Sequence, residues 1–238
     1  MSEFHIEVDG GKSVRLPTSG KYCNRDILVT ATGGYSKTDW LAYARSANTL
    51  FAGAIFPEDV DIVIGSQYPG IKITPSLISA FQSTSGVKNL KFDCGYDLQP
   101  CSMDSCFRGC SAETLEVPFM ETVAMTSYNR CFQEMKNLKE IKTPIHASAA
   151  ASFNYCFNIN SGATNLERIR FVAGSIAKSI PFSFASKLDD VSIQSIIDGL
   201  ADLTGGTAQT LTFHATVGAK LTDAQKATIT AKNWTLAY

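Results

Sequence analysis

Three Cys-Phe pairs, Cys106-Phe107, Cys131-Phe132 and Cys156-Phe157, stand 25 residues apart twice in succession. Recurrence at a fixed interval of this size is the signature of stacked structural units, and it constrains the fold more than any local propensity does. Each pair is followed by a short polar loop and a brief apolar alternation: Leu115-Glu116-Val117, Ile141-Lys142-Thr143 and Ile169-Arg170-Phe171. Upstream, Ala80-Phe81 leads in the same way to Leu90-Lys91-Phe92, and Phe51 leads more weakly to Val60-Asp61-Ile62. Downstream, Ser183-Phe184 continues the series at a slightly longer interval.

A three-residue strand buries almost nothing by itself. Stacked in register with its copies, it turns its outer two side chains inward as an apolar ladder and its middle one outward. The Cys and Phe of the returning limb then fill the same core from the opposite wall. Ser161-Gly162-Ala163 reads as an insertion in an outer loop, where such units tolerate added length.

Both ends change character. Ile193, Ile196, Ile197 and Leu200 recur at helical spacing, with Ser192 or Asp190 near the N-cap and Thr204-Gly205-Gly206 as the stop. A strand at Thr210-Leu211-Thr212-Phe213, a helix opening at Thr222-Asp223-Ala224-Gln225-Lys226 and a final strand at Trp234-Thr235-Leu236 follow. At the other end, residues 36–48 carry Trp40, Leu41, Ala44 and Ala47, a short helix suited to cover the first coil. Residues 1–32 alternate weakly around a turn at Pro17-Thr18-Ser19-Gly20, and Gly33-Gly34 separates them from the rest. The expectation is therefore an α/β chain in two parts. Residues 1–34 form a small N-terminal β segment, an anchoring arm. Residues 35–238 form a right-handed repeat solenoid with short parallel strands, an N-terminal cap helix and helical C-terminal coils.

Composition limits the partners. With 45% hydrophobic and 18% charged residues the chain can bury a core. Its 21 basic and 22 acidic side chains leave a net charge of -1, so no broad basic field draws nucleic acid or an anionic membrane. The first residues, Met1-Ser2-Glu3-Phe4-His5, lack the regions of a secretory signal, and no apolar run is long enough to span a bilayer. Seven cysteines, an odd number, read as free thiols of a reducing cytosol.

Candidate chemistry is sparse. Cys101, Cys106 and Cys110, with Cys94 upstream, lack the C-x2-C knuckle of a zinc site, so the Cys of each pair reads as a core thiol. His5, His146 and His214 share no partner motif, and no nucleophile elbow, zincin motif or phosphate loop is present. The chain is expected to be non-enzymatic, with no cofactor and no metal. The outward strand residues Asp61, Lys91, Glu116, Lys142, Arg170 and Thr212 form the candidate binding column on the open strand face. The competing reading is a solvated ladder of paired charges, each pair worth about 0.2–1 kcal/mol. The directions of Tyr43, Tyr68, Tyr96, Tyr128 and Tyr155, which suit a glycan or protein surface, stay open.

The stretch from Phe81 to Phe171, with its Ala/Cys-Phe, loop, strand and following Pro118 or Pro144, resembles the BspA-like leucine-rich repeats of bacterial surface proteins. The ending from Thr210-Leu211-Thr212-Phe213 through Lys220–Lys226 to Lys232-Asn233-Trp234-Thr235-Leu236 is similar to the closing coil of related proteins from gut Firmicutes and their prophages. Ser13 to Ala31 resembles an N-terminal segment of phage tail-associated proteins. These resemblances imply a tail-associated virion protein, made in the bacterial cytoplasm, that presents its solenoid to a protein or glycan ligand on a bacterial surface. The N-terminal segment would join another virion or envelope protein. The alternative is a BspA-like adhesin at the cell surface.

Overall fold

The computed structural model describes residues 5–8, 12–15, 29–31, 52–53, 55–65, 72–73, 77–93, 95–96 and 102–238. In chain order the elements are β1 (His5–Val8), β2 (Lys12–Arg15), β3 (Val29–Ala31), β4 (Ile55–Gly65), β5 (Lys72–Ile73), β6 (Ser85–Asp93), β7 (Gly95–Tyr96), β8 (Thr114–Glu116), α1 (Phe119–Thr122), β9 (Met125–Ser127), β10 (Glu140–Ile141), β11 (Ala147–Ser152), β12 (Ile180–Phe182), α2 (Asp190–Gly199), β13 (Gln209–Phe213), α3 (Ala215–Gly218), α4 (Asp223–Ala231) and β14 (Trp234–Ala237). The helix expected over 36–48, with Trp40, lies outside the described residues.

The 25-residue period is written in a turn. Ser102, Ser127 and Ser152 each accept, through Oγ, the N–H two residues on, at 3.2, 3.3 and 3.3 Å. A serine used this way starts a turn. Ser79, Ser105, Arg130 and Tyr155 then hold φ at 55, 54, 56 and 55°, the left-handed region that side chains other than glycine rarely adopt. The following Ala80-Phe81 and the three Cys-Phe pairs are all buried.

Successive turns are laced by backbone hydrogen bonds of 2.7 to 3.2 Å. The N–H groups of Leu77, Ser79, Phe81 and Ser83 donate to the carbonyls of Ser102, Asp104, Cys106 and Arg108. Met103, Ser105, Phe107 and Gly109 do the same to Ser127, Asn129, Cys131 and Gln133, and Tyr128, Arg130, Phe132 and Glu134 to Ser152, Asn154, Cys156 and Asn158. Behind the turns, Phe81, Phe107, Phe132, Phe157, Phe182 and Phe213 stack in one column, with centroids 4.8 to 6.1 Å apart and planes within 26°. The column continues through Phe182, not through the expected Phe184. After Phe157 the rung is the extended strand β12, whose alternation points Ile180 and Phe182 inward; the strand ends there, and the turn at 183–184 leaves Phe184 only half-buried.

On another wall β4, β6, β8 and β10 pair in parallel, with Ile62 beside Leu90, Leu90 beside Leu115 and Leu115 beside Ile141. Arg168 bridges Glu140 to extend this ladder by one rung. Leu90, Leu115, Ile141 and Ile169 are buried, as the alternation requires. At the far end of the same sheet β2 and β3 pair with β4 antiparallel, and β1 with β2. A third set of parallel pairings runs through Ser102 and Ser127, β9 and β11, Ile145 and Phe171, and Ile176 and Leu200.

Beyond Phe171 helices replace the strand wall. Asp189 caps α2 in place of the expected Ser192 or Asp190, its side chain accepting from Ser192 N–H at 2.7 Å. α2 stops at Gly199 rather than at Thr204–Gly206, because Leu200 turns extended and bridges Ile176. Thr222 and Gln225 close a capping box on α4, as expected for a helix opening there. β12, β13 and β14 form a parallel sheet that ends the chain. Among the described residues the fold is thus mixed α/β, with short parallel strands, four helices and no closed barrel.

Candidate functional site

The strand face is built by alternation and register together. In β6 and β8, Lys91 lies directly beside Glu116, while Leu90, Phe92, Leu115 and Val117 on either side are buried. Lys91 Nζ meets Glu116 Oε1 at 3.1 Å, and Lys142 Nζ lies 3.9 Å from Glu116 Oε2. Arg170 Nη2 donates to the Lys142 carbonyl at 3.0 Å. Four of the expected residues, Lys91, Glu116, Lys142 and Arg170, therefore stand in one column on four consecutive rungs. Thr212 does not join them: it lies in β13 beside Pro181 of β12, on the wall of the phenylalanine column. The last coils have no strand on the first wall, so the count of rungs that carried the expectation to Thr212 led to the wrong side. The Asp61 side chain lies outside the described residues.

A parallel column stands two residues back on the same face. Thr114 Oγ1 donates to Asn89 Oδ1 at 2.5 Å, and Arg168 Nη2 contacts Glu140 Oε2 at 3.1 Å. Beside it Lys139 Nζ meets Glu113 Oε2 at 2.9 Å. The Lys139 hydrogen bond holds the Glu113 carboxyl below its ordinary 4.5, and the bond to Glu140 pushes the Arg168 guanidinium up. Sequence reasoning missed these residues. The signal was present, since Glu113, Lys139 and Glu167 each stand two residues before the first inward residue of an alternation.

The thiols occupy the interior. Cys106, Cys110, Cys131 and Cys156 are all buried. Burial pushes Cys110 up to about 12, and raises Cys131 and Cys156 well above their ordinary 9.0, Cys131 also through its neighbours Cys106 and Cys156. Among the described residues no group of three or more His, Cys, Asp and Glu is placed to hold a metal. Cys94 and Cys101 lie outside them. His214 is spent on structure, its Nδ1 accepting Thr216 N–H at 3.2 Å to cap α3. Tyr128 is buried and donates to the His146 carbonyl at 3.1 Å, whereas Tyr155 is exposed. Tyr43, Tyr68 and the side chain of Tyr96 lie outside the described residues. No helix among the described residues is long and apolar enough to cross a membrane.

Comparison with protein-family models, with curated proteins and with solved structures finds no match to this chain.

Proposed function

We propose that the chain is a non-enzymatic recognition protein: a right-handed, BspA-like leucine-rich-repeat solenoid, carried on a phage or prophage tail, that lays its strand face against a ligand on a bacterial surface. The observation that carries this reading is the column Lys91, Glu116, Lys142 and Arg170. Rungs stacked about 4.8 Å apart set the spacing of its charges, and contacts along the column hold their side chains. A fixed array of three cations about one carboxylate selects a complementary surface and governs the rate of encounter more than it adds raw affinity. The resemblance of Ser13 to Ala31 to tail-associated segments favours a virion as the carrier.

The test is capture of the labelled full chain by a panel of intact bacterial cells, with Lys142→Glu plus Arg170→Glu as the variant pair. Capture by a subset of strains, lost in the variant and weakened by salt, is the expected result. Equal capture by every strain, or capture indifferent to the charge reversal, overturns the strand face as the recognition surface. Immunogold labelling of particles places the protein on a virion tail; label on the cell envelope alone favours an adhesin instead.

A further inference from the structure

The turn wall ends in a step. Each of the first three turns donates four backbone N–H groups to the next, but the turn at 153–158 is followed by the flat strand β12. Among the described residues no backbone hydrogen bond joins that turn to β12, and the N–H groups of Tyr155 and Phe157 meet no acceptor. Donors of this wall point along the stack toward the next rung, which here is the side of the step. A groove of about 440 Å³ opens there, with Phe153 and Pro181 in its wall. That volume is within the range of small-molecule sites, about 300–1,000 Å³.

The lining is neutral. Asn154, Asn158, Ser183, Thr210 and Thr212 supply amides and hydroxyls, and no charged side chain takes part. Tyr155 stands at the rim, thrown outward by its left-handed backbone and 54% exposed. The Arg130 guanidinium lies 5.5 Å from its ring centroid. Arg130 belongs to the preceding turn, so it steadies the ring from the side away from the groove. Amides and hydroxyls both donate and accept, which matches the vicinal hydroxyls of a sugar, and an aromatic rim matches a sugar's C–H face. A carboxylate or phosphate would find no cation in the lining.

We infer that the step groove between the 153–158 turn and β12–β13 binds a neutral sugar unit of a surface glycan, with Tyr155 as its stacking platform. This rests on the reading of the chain as a recognition protein and names the ligand class of a second surface, separate from the charged strand face.

The test is calorimetric titration of the full chain with chitotriose, maltotriose, galactobiose and sialyllactose. Saturable binding of at least one of the three neutral probes is expected. Tyr155→Asn removes the ring with a residue that tolerates the left-handed region, and should weaken binding about tenfold or more. Thr212→Val, nearly isosteric, should weaken it as well; Glu121→Gln, on α1 and outside both surfaces, should leave it unchanged. Absence of binding by all three neutral probes, sialyllactose as the preferred ligand, or full affinity in both groove variants overturns the groove. Cell capture by the strand face without sugar binding sinks the groove alone. Sugar binding without cell capture sinks the surface-recognition reading and leaves the groove standing.

Discussion

At the scale of the residue, the molecule depends on side chains that recur at one position. Phe132 is sandwiched between Phe107 and Phe157 at 5.9 and 5.3 Å, almost parallel to both. Removing the ring leaves a cavity that two stacked neighbours cannot close, so Phe132→Ala should cost about 3–5 kcal/mol in a urea melt. An unchanged midpoint would show that the column is not continuous. The thiols give a second prediction. Buried Cys110, Cys131 and Cys156 stay protonated in the folded state to higher pH than in the unfolded chain, whose thiols titrate near the ordinary 9.0. The unfolded state therefore binds fewer protons above that value, and this contribution to stability is whole below pH 9.0 and lost as pH rises toward the folded values, about 12 for Cys110. Melting temperature should fall with pH above 9.0, and a disulfide-based thiol reagent should label these cysteines only on unfolding. Rapid stoichiometric labelling of the native protein contradicts this. That each Cys and Phe faces inward was legible from the period alone. That the turn placing them needs a left-handed residue was not, because the position holds two serines, an arginine and a tyrosine, and never a glycine.

At the scale of the element, the informative place is where strand gives way to helix. The segment 167–171 would present an open strand edge, a hazard that proteins cover or pair. Here α2 covers it with serines. Ser192 Oγ accepts from Ile169 N–H at 3.0 Å and donates to the Glu167 carbonyl at 3.2 Å, and Ser195 Oγ accepts from Phe171 N–H at 3.0 Å. Two hydroxyls thus stand in for the missing rung. Ser192→Ala strands a buried N–H, which costs about 1–3 kcal/mol, while Ser192→Thr keeps the hydroxyl. The melts of the two variants read this directly: equal loss in both points to packing rather than the hydrogen bond. The amphipathic period of α2 was plain in the sequence, but its end was not. Leu200 leaves the helix to pair with Ile176, a partner 24 residues upstream that no local stop signal records.

At the scale of the whole molecule, one core runs from Leu77 to Trp234 among the described residues, with no break between strand-walled and helix-walled coils. A stack of this kind loses stability at its ends unless they are covered. Trp234 does this at the C-terminal end: it is buried, its Nε1 donates to the Ala201 carbonyl at 2.9 Å, and β14 pairs in parallel with β13. Trp234→Ala should lower the melting temperature, at a cost of about 3–5 kcal/mol, and expose apolar surface to a hydrophobic dye. A variant that melts normally and binds no dye would mean that the last coil closes itself without the indole. The charged strand face and the neutral groove lie on different walls of this single core, so a change at one should leave the other's contacts in place.

The sequence by itself determined the repeat, the inward positions of its Cys, Phe and strand residues, and the column Lys91, Glu116, Lys142 and Arg170. All of these follow from two local rules, recurrence of a unit and the alternation of side chains along a strand. Only the tertiary structure decided which coils keep a strand wall, why Phe182 rather than Phe184 extends the aromatic column, and why Thr212 lines the groove instead of joining the column of Arg170. Those outcomes depend on how segments some 25 residues apart are laid on one another, and on a single change of wall from turn to strand after residue 158. No residue in either segment states that registration alone; it is settled by which arrangement buries the rings and pairs the backbone at once.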